Sequence, residues 1–350
     1  MKAVVYHGKG RISLENIPVP EINDNEILIR VHSALICGTD LRIINNGHFK
    51  IREGESKILG HEVGGEVVKI GKNVTGFKID DNISMAPNVG CGKCRECISG
   101  NTQLCKDYEA IGITFNGAFA EYMKVPKQFI EQGNIYVFPQ NISYEEGSLA
   151  EILATVLSGV EACRIGYSDI VLIVGAGPIG IVHTMLVKIS GAQRVIVSEI
   201  KEDRREQALK FEADIVIDPN DSDYRKRLLE ETYGRGPDVI IIASPSQKAQ
   251  EESVEIAARG GRINFFGGLP KDKDCISIKS NFIHYNYITV TGTTGSNVLQ
   301  YRKAMELIIS KRIPITKIIS KRYKLEEYKE AFEAASSGKN LKILFTPSLS

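Results

Sequence analysis

The strongest constraint on the fold of this chain is a run of apolar residues, Ile170 to Val174, that leads into a turn with the sequence Gly-Ala-Gly-Pro-Ile-Gly. A short apolar run bounded by Asp169 and Gly175 predicts a strand buried on both faces, as in a parallel sheet. Strand and helix patterns then alternate up to a last strand at 287–291. This alternation predicts a doubly wound parallel α/β sheet.

The three glycines of the turn have the spacing of a dinucleotide-binding site. Gly175 permits the tight turn, Gly177 lets the backbone approach a pyrophosphate, and Gly180 lets the helix pack closely on the strand. The free N–H groups at the start of the helix then bind the anion. A glycine-rich turn without a ligand is the alternative, but the strand before it and the helix after it favour a dinucleotide.

An acidic residue at the end of the next strand, Glu199, indicates which dinucleotide binds. Its carboxylate would accept hydrogen bonds from the adenosine ribose and repel a 2′-phosphate, so we expect NAD. Lys201, Arg204 and Arg205 lie nearby in the sequence and would favour a phosphate. NADP therefore stays open as the alternative.

The first 150 residues have a different character. They show short strand patterns joined by glycine-rich turns, with little helical periodicity before about residue 143, and they predict a mostly β domain. After residue 297 two helix–strand pairs follow, and periodicity alone does not decide whether they extend the parallel sheet or return to the first domain. The strands predicted in the first part are Lys2–Tyr6, Glu26–Leu35, Gly64–Ile70 and Asn82–Met85.

Four of the seven cysteines lie close together, at Cys91, Cys94, Cys97 and Cys105. Four thiolates at this spacing satisfy a tetrahedral zinc ion with no open position, so they predict a structural zinc site. Buried free thiols are the alternative, but the glycines and charged residues around these cysteines argue against a position in the core.

A second set of metal ligands is spread over a longer stretch. Cys37 follows a predicted strand, and Gly60-His61-Glu62 lies further along the chain. Three protein ligands with an open fourth position define a catalytic zinc site. The pattern alone leaves two interpretations open: a catalytic site formed by Cys37, His61 and Glu62, or a cysteine and a histidine that pack in the core.

The bulk properties limit the classes of protein to which the chain can belong. A length of 350 residues fits two domains, and 43% apolar with 25% charged residues is typical of a soluble globular protein. A formal net charge of +1 favours neither nucleic acid nor a membrane as a partner. No apolar run approaches the roughly 20 residues of a membrane span, and the start lacks a signal stretch, so we expect a cytoplasmic protein.

Together these features resemble the zinc-containing medium-chain alcohol dehydrogenases over essentially the whole chain. The Gly-His-Glu motif, the four cysteines, the segment Gly-Ala-Phe-Ala-Glu-Tyr at 117–122, the glycine-rich turn and the ending Lys342-Ile343 occur in that family's order. The resemblance implies a GroES-like, mostly β catalytic domain at 1–148 with a C-terminal return at 291–350, and a Rossmann domain at 149–290. It also implies a homo-oligomer, which we expect to be a tetramer or a dimer.

The resemblance implies one catalytic and one structural zinc ion per chain. The second ligand set matches the catalytic zinc ligands in the form found in the polyol branch, where Glu62 replaces a cysteine. Glu151 matches a further acidic position, either a direct ligand or a partner of the zinc-bound water. Thr39 matches the hydroxyl that takes the substrate proton, and Asp40 matches a residue that orients the zinc-bound His61.

The resemblance also implies the contacts of the cofactor. Thr155 and Ile179 match residues against the nicotinamide ring, whereas Glu199 and Arg204 match contacts to the ribose. The complete set of matching cofactor residues is Thr155, Gly175, Gly177, Pro178, Ile179, Gly180, Glu199, Arg204, Phe266, Gly267, Gly268 and Thr293.

For the reaction, the resemblance implies oxidation of a secondary alcohol, with zinc lowering the pKa of the hydroxyl. The polyol branch acts on sorbitol and L-iditol, so we expect a small-molecule polyol. A sugar-alcohol phosphate, as in galactitol-1-phosphate dehydrogenase, and L-threonine, as in threonine 3-dehydrogenase, are alternatives that need a counter-charge such as Arg42, Lys50 or Arg52. A non-catalytic dinucleotide-binding protein is a further alternative, but such relatives lack the zinc ligands, which are intact here.

Two positions depart from the family pattern. Arg42 stands where many relatives have a histidine that completes the proton path, and an arginine does not release its proton at neutral pH. Proton release then runs through water or another group, for which His48 is a candidate. The stretch Thr293–Ser296 lacks the Arg-Tyr pair found near the sugar in animal sorbitol dehydrogenases.

Overall fold

The chain folds into two compact units. The computed structural model describes residues 1–347; the first unit holds Met1–Ala154 together with the chain from Ser296 onward, and the second holds Thr155–Gly295. The C-terminal strands therefore join the sheet of the first unit and do not extend the parallel sheet. No helix among residues 1–347 is both long and apolar enough to cross a bilayer.

The first unit is built mainly from antiparallel sheets, which confirms the prediction of a mostly β domain. Its strands are β1 (Lys2–Tyr6), β2 (Ile12–Asn16), β3 (Ile27–Ile36), β4 (Lys57–Ile58), β5 (Glu62–Ile70), β6 (Asn82–Met85), β7 (Asn88–Val89), β8 (Glu109–Ala110), β9 (Tyr122–Val125), β10 (Ile135–Val137), β17 (Ile319–Tyr323) and β18 (Lys342–Phe345). The largest sheet has the order β10-β6-β5-β3-β18-β17, with β9 also paired to β3. Two smaller sheets have the orders β2-β1-β4 and β7-β8.

Short helices connect these strands. They are α1 (Gly38–Asn46), α2 (Arg95–Ile98), α3 (Lys127–Glu131), α4 (Tyr144–Ser148), α5 (Ala150–Cys163), α11 (Val298–Ile309) and α12 (Tyr328–Ser336), with 3-10 turns at Thr102–Leu104, Ile315–Ile318 and Leu325–Glu327. The division between the two units falls within α5.

The second unit is a parallel sheet with helices between its strands. The strands are β11 (Ile170–Val174), β12 (Arg194–Ser198), β13 (Ile215–Ile217), β14 (Val239–Ile242), β15 (Arg262–Phe265) and β16 (Thr289–Gly292), in the order β13-β12-β11-β14-β15-β16. The helices are α6 (Pro178–Ile189), α7 (Glu202–Lys210), α8 (Tyr224–Glu231), α9 (Gln247–Ile256) and α10 (Ser280–Asn286). This order confirms the predicted doubly wound fold, whose switch point lies between β11 and β14.

Two local features differ from the sequence prediction. The pattern of the first 150 residues does not predict α1, at whose start the Asp40 carboxylate accepts a hydrogen bond from N of Cys37. The last strand of the parallel sheet begins at Thr289, not at position 287, because Tyr287 ends α10 with a left-handed φ of 55°.

Candidate metal centres and dinucleotide-binding turn

Two chain segments bring the ligands of the candidate catalytic metal centre together. Cys37 follows β3 and is the residue before α1, whereas His61 and Glu62 stand at the start of β5. Because β3 and β5 pair antiparallel with Leu35 opposite Glu62, the three side chains meet at one end of the sheet. One ligand atom of each lies within 4.8 Å of the other two.

Asp40 ties these two segments to each other. Its fully buried carboxylate accepts hydrogen bonds from N of Cys37 at 2.8 Å and from N of Gly60 at 3.2 Å. Gly60 has a φ of +91°, and a Cβ there would lie 2.6 Å from the ring of Phe119. Glycine before His61 is therefore required by backbone conformation and by packing.

The side chains present fit a zinc ion. Oε2 of Glu62 is buried and has no hydrogen-bond partner in the part of the chain that the structure describes. Nδ1 of His61 faces an Asp40 oxygen 3.5 Å away, which leaves Nε2 of the ring for a metal. Buried polar atoms without a partner cost free energy. A cation that accepts a lone pair from Glu62 removes that cost, and sulfur, nitrogen and oxygen donors together suit zinc.

The charges around His61 attract a cation. Burial lowers the pKa of His61, but the negative charges of Asp40 and Cys37 outweigh it and raise the pKa well above its ordinary value. A metal ion binds only the neutral ring, so a bound metal replaces the proton that these anions otherwise hold on the ring.

A buried lysine completes the surroundings of Glu62. Lys342, at the start of β18, donates from Nζ to Oε1 of Glu62 at 2.6 Å and to the carbonyl oxygen of Ile36 at 3.1 Å. Burial lowers the pKa of Lys342, but the charges of Glu62 and Cys37 raise it by more than burial lowers it, so the lysine carries its charge. Glu62 therefore has one oxygen held by Lys342 and one oxygen available to a metal.

Glu151 lies outside this ligand set. Among residues 1–347, its carboxylate is not one of the groups whose ligand atoms all approach one another within 4.8 Å. Glu151 stands in the first turn of α5, and its negative charge adds to those that raise the pKa of Lys342 against the effect of burial. The geometry therefore favours Glu151 as a negative charge near the candidate metal centre and not as a direct metal ligand.

The hydroxyl expected to take the substrate proton has a cation beside it. Oγ1 of Thr39 accepts a hydrogen bond from Nη2 of Arg42 at 3.1 Å. His48 does not fit the role of proton acceptor, because its Nδ1 already accepts from N of Lys50 at 3.2 Å. Burial, together with the charges of Lys50 and Arg42, also lowers the pKa of His48.

The four cysteines also meet, with all four Sγ atoms within 4.8 Å of one another. Sγ of Cys105 accepts from N of Cys91 at 3.3 Å, and Sγ of Cys94 accepts from N of Cys97 at 3.5 Å. Backbone N–H groups lower the pKa of Cys91 to about 7, which favours the thiolate that a metal binds. A Cβ at Gly90 would lie 2.4 Å from Sγ of Cys97, so the cluster needs glycine there.

In the second unit, the glycine-rich turn joins β11 to α6. Gly175 has a φ of +105°, and a Cβ at Gly180 would lie 1.9 Å from the carbonyl oxygen of Gly175. Gly177 precedes Pro178, the first residue of α6, and a Cβ at Gly177 would meet nothing within 4 Å. Gly180 is therefore needed for packing, whereas Gly177 borders open space.

Glu199 is anchored at the same turn. Its buried carboxylate accepts from N of Ala176 at 2.8 Å and from N of Lys201 at 3.0 Å. Nη1 of Arg204 lies 3.9 Å from Oε2 of Glu199, and Nη1 of Arg205 donates to the Glu199 carbonyl oxygen at 2.7 Å. Both arginines thus contact Glu199 at a position where an adenosine ribose is expected.

The other expected cofactor residues lie where such residues lie in a doubly wound sheet. Phe266–Gly268 follows β15 and Thr293 follows β16, at the carboxyl ends of the strands. Oγ1 of Thr293 donates to Oδ1 of Asn264 at 3.0 Å. Thr155 lies within α5, and Ile179 lies in the first turn of α6.

One buried histidine belongs to no sequence motif. His183 in α6 is fully buried, and neither ring nitrogen has a hydrogen-bond partner among the described residues. Burial lowers its pKa to about 3, so the ring is neutral. Its ring lies edge-on to that of Phe266, with 4.7 Å between the ring centres.

Comparison with known proteins adds the following matches. The model of the alcohol dehydrogenase GroES-like domain matches residues 23–133, and that of zinc-binding dehydrogenases matches residues 178–310. An L-threonine 3-dehydrogenase of Pyrococcus furiosus is 37% identical over 336 residues, which are 95% of this chain and 94% of that protein. A sorbitol dehydrogenase of Bacillus subtilis is 31% identical over 352 residues, which are 99% of this chain and 97% of that protein.

Solved structures show the same architecture. A Sinorhizobium meliloti protein of the zinc-binding dehydrogenase type, crystallised with NADP, is 29% identical and superposes with a TM-score of 0.90. The match covers 99% of each chain.

Proposed function

Because the chain belongs to the zinc-dependent medium-chain alcohol dehydrogenase superfamily, we propose that it oxidises a secondary alcohol to a ketone, with NAD as the acceptor of hydride. The observation that carries the proposal is the cluster of Cys37, His61 and Glu62, in which Oε2 of Glu62 is buried and has no partner among the described residues. Catalytic zinc sites have three protein ligands and leave a fourth position for the substrate.

Different residues of the chain have different roles in this reaction. A zinc ion in the cluster supplies Lewis acidity, which lowers the pKa of an alcohol hydroxyl towards neutrality. Asp40 holds the backbone at Cys37 and at Gly60, the residue before His61. Glu151 adds a negative charge nearby. Thr39 receives the hydroxyl proton and passes it to water, since Arg42 cannot take it.

The dinucleotide is held by the second unit. NAD supplies the carbon centre that accepts the hydride. The N–H groups at Gly177 and the start of α6 would hold its pyrophosphate, and Glu199 would hold its adenosine ribose. The buried carboxylate of Glu199 favours NAD over NADP, since a 2′-phosphate there would meet a negative charge.

Two substrate classes have support. The Pyrococcus furiosus relative acts on L-threonine, which supports oxidation of a 3-hydroxy amino acid as the first candidate. The Bacillus subtilis relative acts on sorbitol, which supports the polyol predicted from the sequence as the second. Both reactions convert a secondary alcohol and NAD into a ketone, NADH and a proton.

The remaining assignments belong to the same proposal. Residues 1–148 with 291–350 form the catalytic domain and 149–290 the dinucleotide domain, with the structural zinc at Cys91, Cys94, Cys97 and Cys105. The active form is a cytoplasmic homo-oligomer, a tetramer or a dimer. Light scattering coupled to size-exclusion chromatography measures this state directly.

The test is NADH formation by zinc-loaded protein. The panel holds L-threonine, sorbitol, xylitol, L-iditol, galactitol and a hexitol phosphate, each with and without a zinc chelator. We expect a chelator-sensitive rate on at least one member and no rate for Cys37→Ser. If protein shown to contain zinc and to bind NAD is inactive on every member, both substrate classes are wrong.

A further inference from the structure

Two cations of the first unit, Arg42 in α1 and Lys50 in the loop after it, are held by neutral groups. Arg42 donates to Oγ1 of Thr39, as described above. Lys50, in the loop after α1, donates from Nζ to the carbonyl oxygen of Tyr108 at 2.6 Å, and its ammonium lies 4.2 Å from the centre of the Tyr108 ring. Uncharged groups therefore hold both cations in place.

Neither cation is neutralised by the protein. Within the described range 1–347, no carboxylate oxygen lies within 4.0 Å of the side-chain nitrogens of Arg42 or Lys50. The next two cations along the chain, Arg52 and Lys57, do have a carboxylate nearby. Glu55 pairs with Lys57 at 2.8 Å, and Arg52 also lowers the pKa of Glu55. Positive charges without a counter-ion repel one another, and an anion placed beside them relieves that repulsion.

His48 adds a third donor to this pair. The ring of His48 lies against Lys50, whose backbone N donates to Nδ1 at 3.2 Å. Burial, together with the charges of Lys50 and Arg42, lowers the pKa of this ring. Since Nδ1 accepts from N of Lys50, the proton of the neutral ring is on Nε2, which is therefore a donor. Guanidinium, ammonium and imidazole N–H groups together offer donors and no acceptor, which is the complement of a carboxylate or a phosphate.

We propose that Arg42, His48 and Lys50 form an anion site that binds a carboxylate or phosphate group on the alcohol that is oxidised. The proposal rests on the proposed function, because it places this anion beside Thr39, which receives the hydroxyl proton. Arg42 has five N–H donors, so its bond to Thr39 leaves donors for a substrate oxygen. A neutral polyol would leave both cations without a counter-ion, so the site selects alcohols that carry a negative charge.

The experiment compares substrates that differ only in charge. The pairs are L-threonine with L-threonine amide, and galactitol 1-phosphate with galactitol; the variants are Arg42→Gln and Lys50→Gln. We expect each variant to raise KM for the charged member of a pair by about tenfold, as loss of a charge-assisted hydrogen bond implies, with a much smaller change for the neutral member. Lys72→Gln, which removes an exposed charge paired with Asp24 at 2.8 Å, is the control and leaves both values unchanged.

The pair that responds identifies the anion as carboxylate or phosphate. Equal changes for charged and neutral members would overturn the proposal, and so would a rise in KM for NAD alone, which would assign the cations to the cofactor. A second readout needs no turnover: inorganic phosphate should raise the melting temperature of the wild type more than that of Arg42→Gln. If the wild type oxidises no alcohol, the proposed function fails, and the melting experiment still decides whether the anion site exists.

Discussion

The contact of two single residues, Glu62 and Lys342, affects the charge at the candidate zinc site. Both side chains are almost fully buried, with exposures of 1% and 3%. Zinc, Cys37 and Glu62 alone would give a net charge of about zero, which weakens the metal as a Lewis acid. The ammonium of Lys342, 2.6 Å from Glu62, offsets the charge of that carboxylate. We therefore regard Lys342 as a residue that tunes the metal.

Replacing Lys342 by methionine should change stability and zinc affinity in opposite directions. Without zinc, Glu62 becomes a buried charge without a partner, which costs about 3–5 kcal/mol. With zinc, both oxygens of Glu62 can face the metal and the repulsion between lysine and zinc is gone. We expect the metal-free variant to melt below the wild type and to gain more from added zinc, as measured by thermal unfolding across a zinc titration.

Lys342→Arg is the matched control, because it keeps the charge, and it should behave like the wild type. A Lys342→Met protein that gains no more from zinc than the wild type would show that Lys342 acts on packing alone.

His183 makes a contribution to stability that depends on pH. Its pKa is about 3 in the folded chain against an ordinary value of 6.5, because burial disfavours the charged ring. Between these pH values the ring of His183 is protonated in the unfolded chain and neutral in the folded chain. The free energy of unfolding is therefore not reduced by His183 above pH 6.5, and it falls as the pH drops below 6.5. The loss is about 1.4 kcal/mol per pH unit.

Replacing His183 by leucine should remove this loss. The test is urea unfolding of the wild type and of His183→Leu from pH 7 to pH 4.5. We expect the free energy of unfolding of the variant to rise relative to that of the wild type as the pH falls. His284→Gln removes an exposed histidine and should follow the wild type. Parallel curves for the wild type and His183→Leu would mean that water or a proton reaches the buried ring.

At the scale of elements, the contact of β11 with α6 separates two roles of glycine. A Cβ at Gly180 would lie 1.9 Å from the Gly175 carbonyl oxygen, whereas a Cβ at Gly177 would meet nothing within 4 Å. Gly180→Ala should therefore cost roughly 1–3 kcal/mol of stability, the usual cost of overpacking. Gly177→Ala should leave the melting temperature almost unchanged but weaken NADH binding, since the methyl group occupies the position of the pyrophosphate.

The two measurements are thermal unfolding without ligand and titration of NADH fluorescence. If Gly177→Ala binds NADH as the wild type does, the pyrophosphate does not approach this turn.

Elements with a strong local pattern are predictable from the sequence. Lys2–Tyr6, Asn82–Met85 and Ile170–Val174 form strands with the predicted bounds, because each is a short apolar or alternating run that ends at polar residues or glycine. The helix α1 is not predictable in this way, because it starts at a glycine and the Asp40 carboxylate at its start is also held by N of Gly60, which lies 20 positions further along the chain. Its start is fixed by contacts that form only once the chain has folded.

The same limit applies to the site. Both ligand sets consist of residue types and spacings that zinc chemistry requires, so their members can be named from the sequence. The contact of Lys342 with Glu62 spans 280 positions, and no local pattern indicates it. The bond from Arg42 to Thr39 lies within one helix, but its significance depends on the absence of a carboxylate partner, which only the folded chain shows.

At the scale of the whole molecule, the two metal clusters are held in place by different forces. Cys37, His61 and Glu62 lie at the ends of β3 and β5, two long strands of the main sheet, and their neighbours belong to the core of the first unit. The segment that carries the other four cysteines has only short elements, and neither α2 nor the 3-10 turn at Thr102–Leu104 contains a buried residue. We therefore expect this segment to depend on a bound metal for order, as structural zinc sites do.

We expect two zinc ions per wild-type chain by metal analysis, and one in each of the variants Cys37→Ser and Cys97→Ser. Cys97→Ser should become sensitive to proteases between residues 88 and 110 while still binding NADH, because the dinucleotide turn lies in the other unit. Cys37→Ser should resist proteases there and lose only activity. Cys275→Ser is the control, since that exposed cysteine lies outside both clusters, and it should keep both zinc ions. A Cys97→Ser chain that keeps two zinc ions and stays resistant would mean that this segment orders itself without a metal.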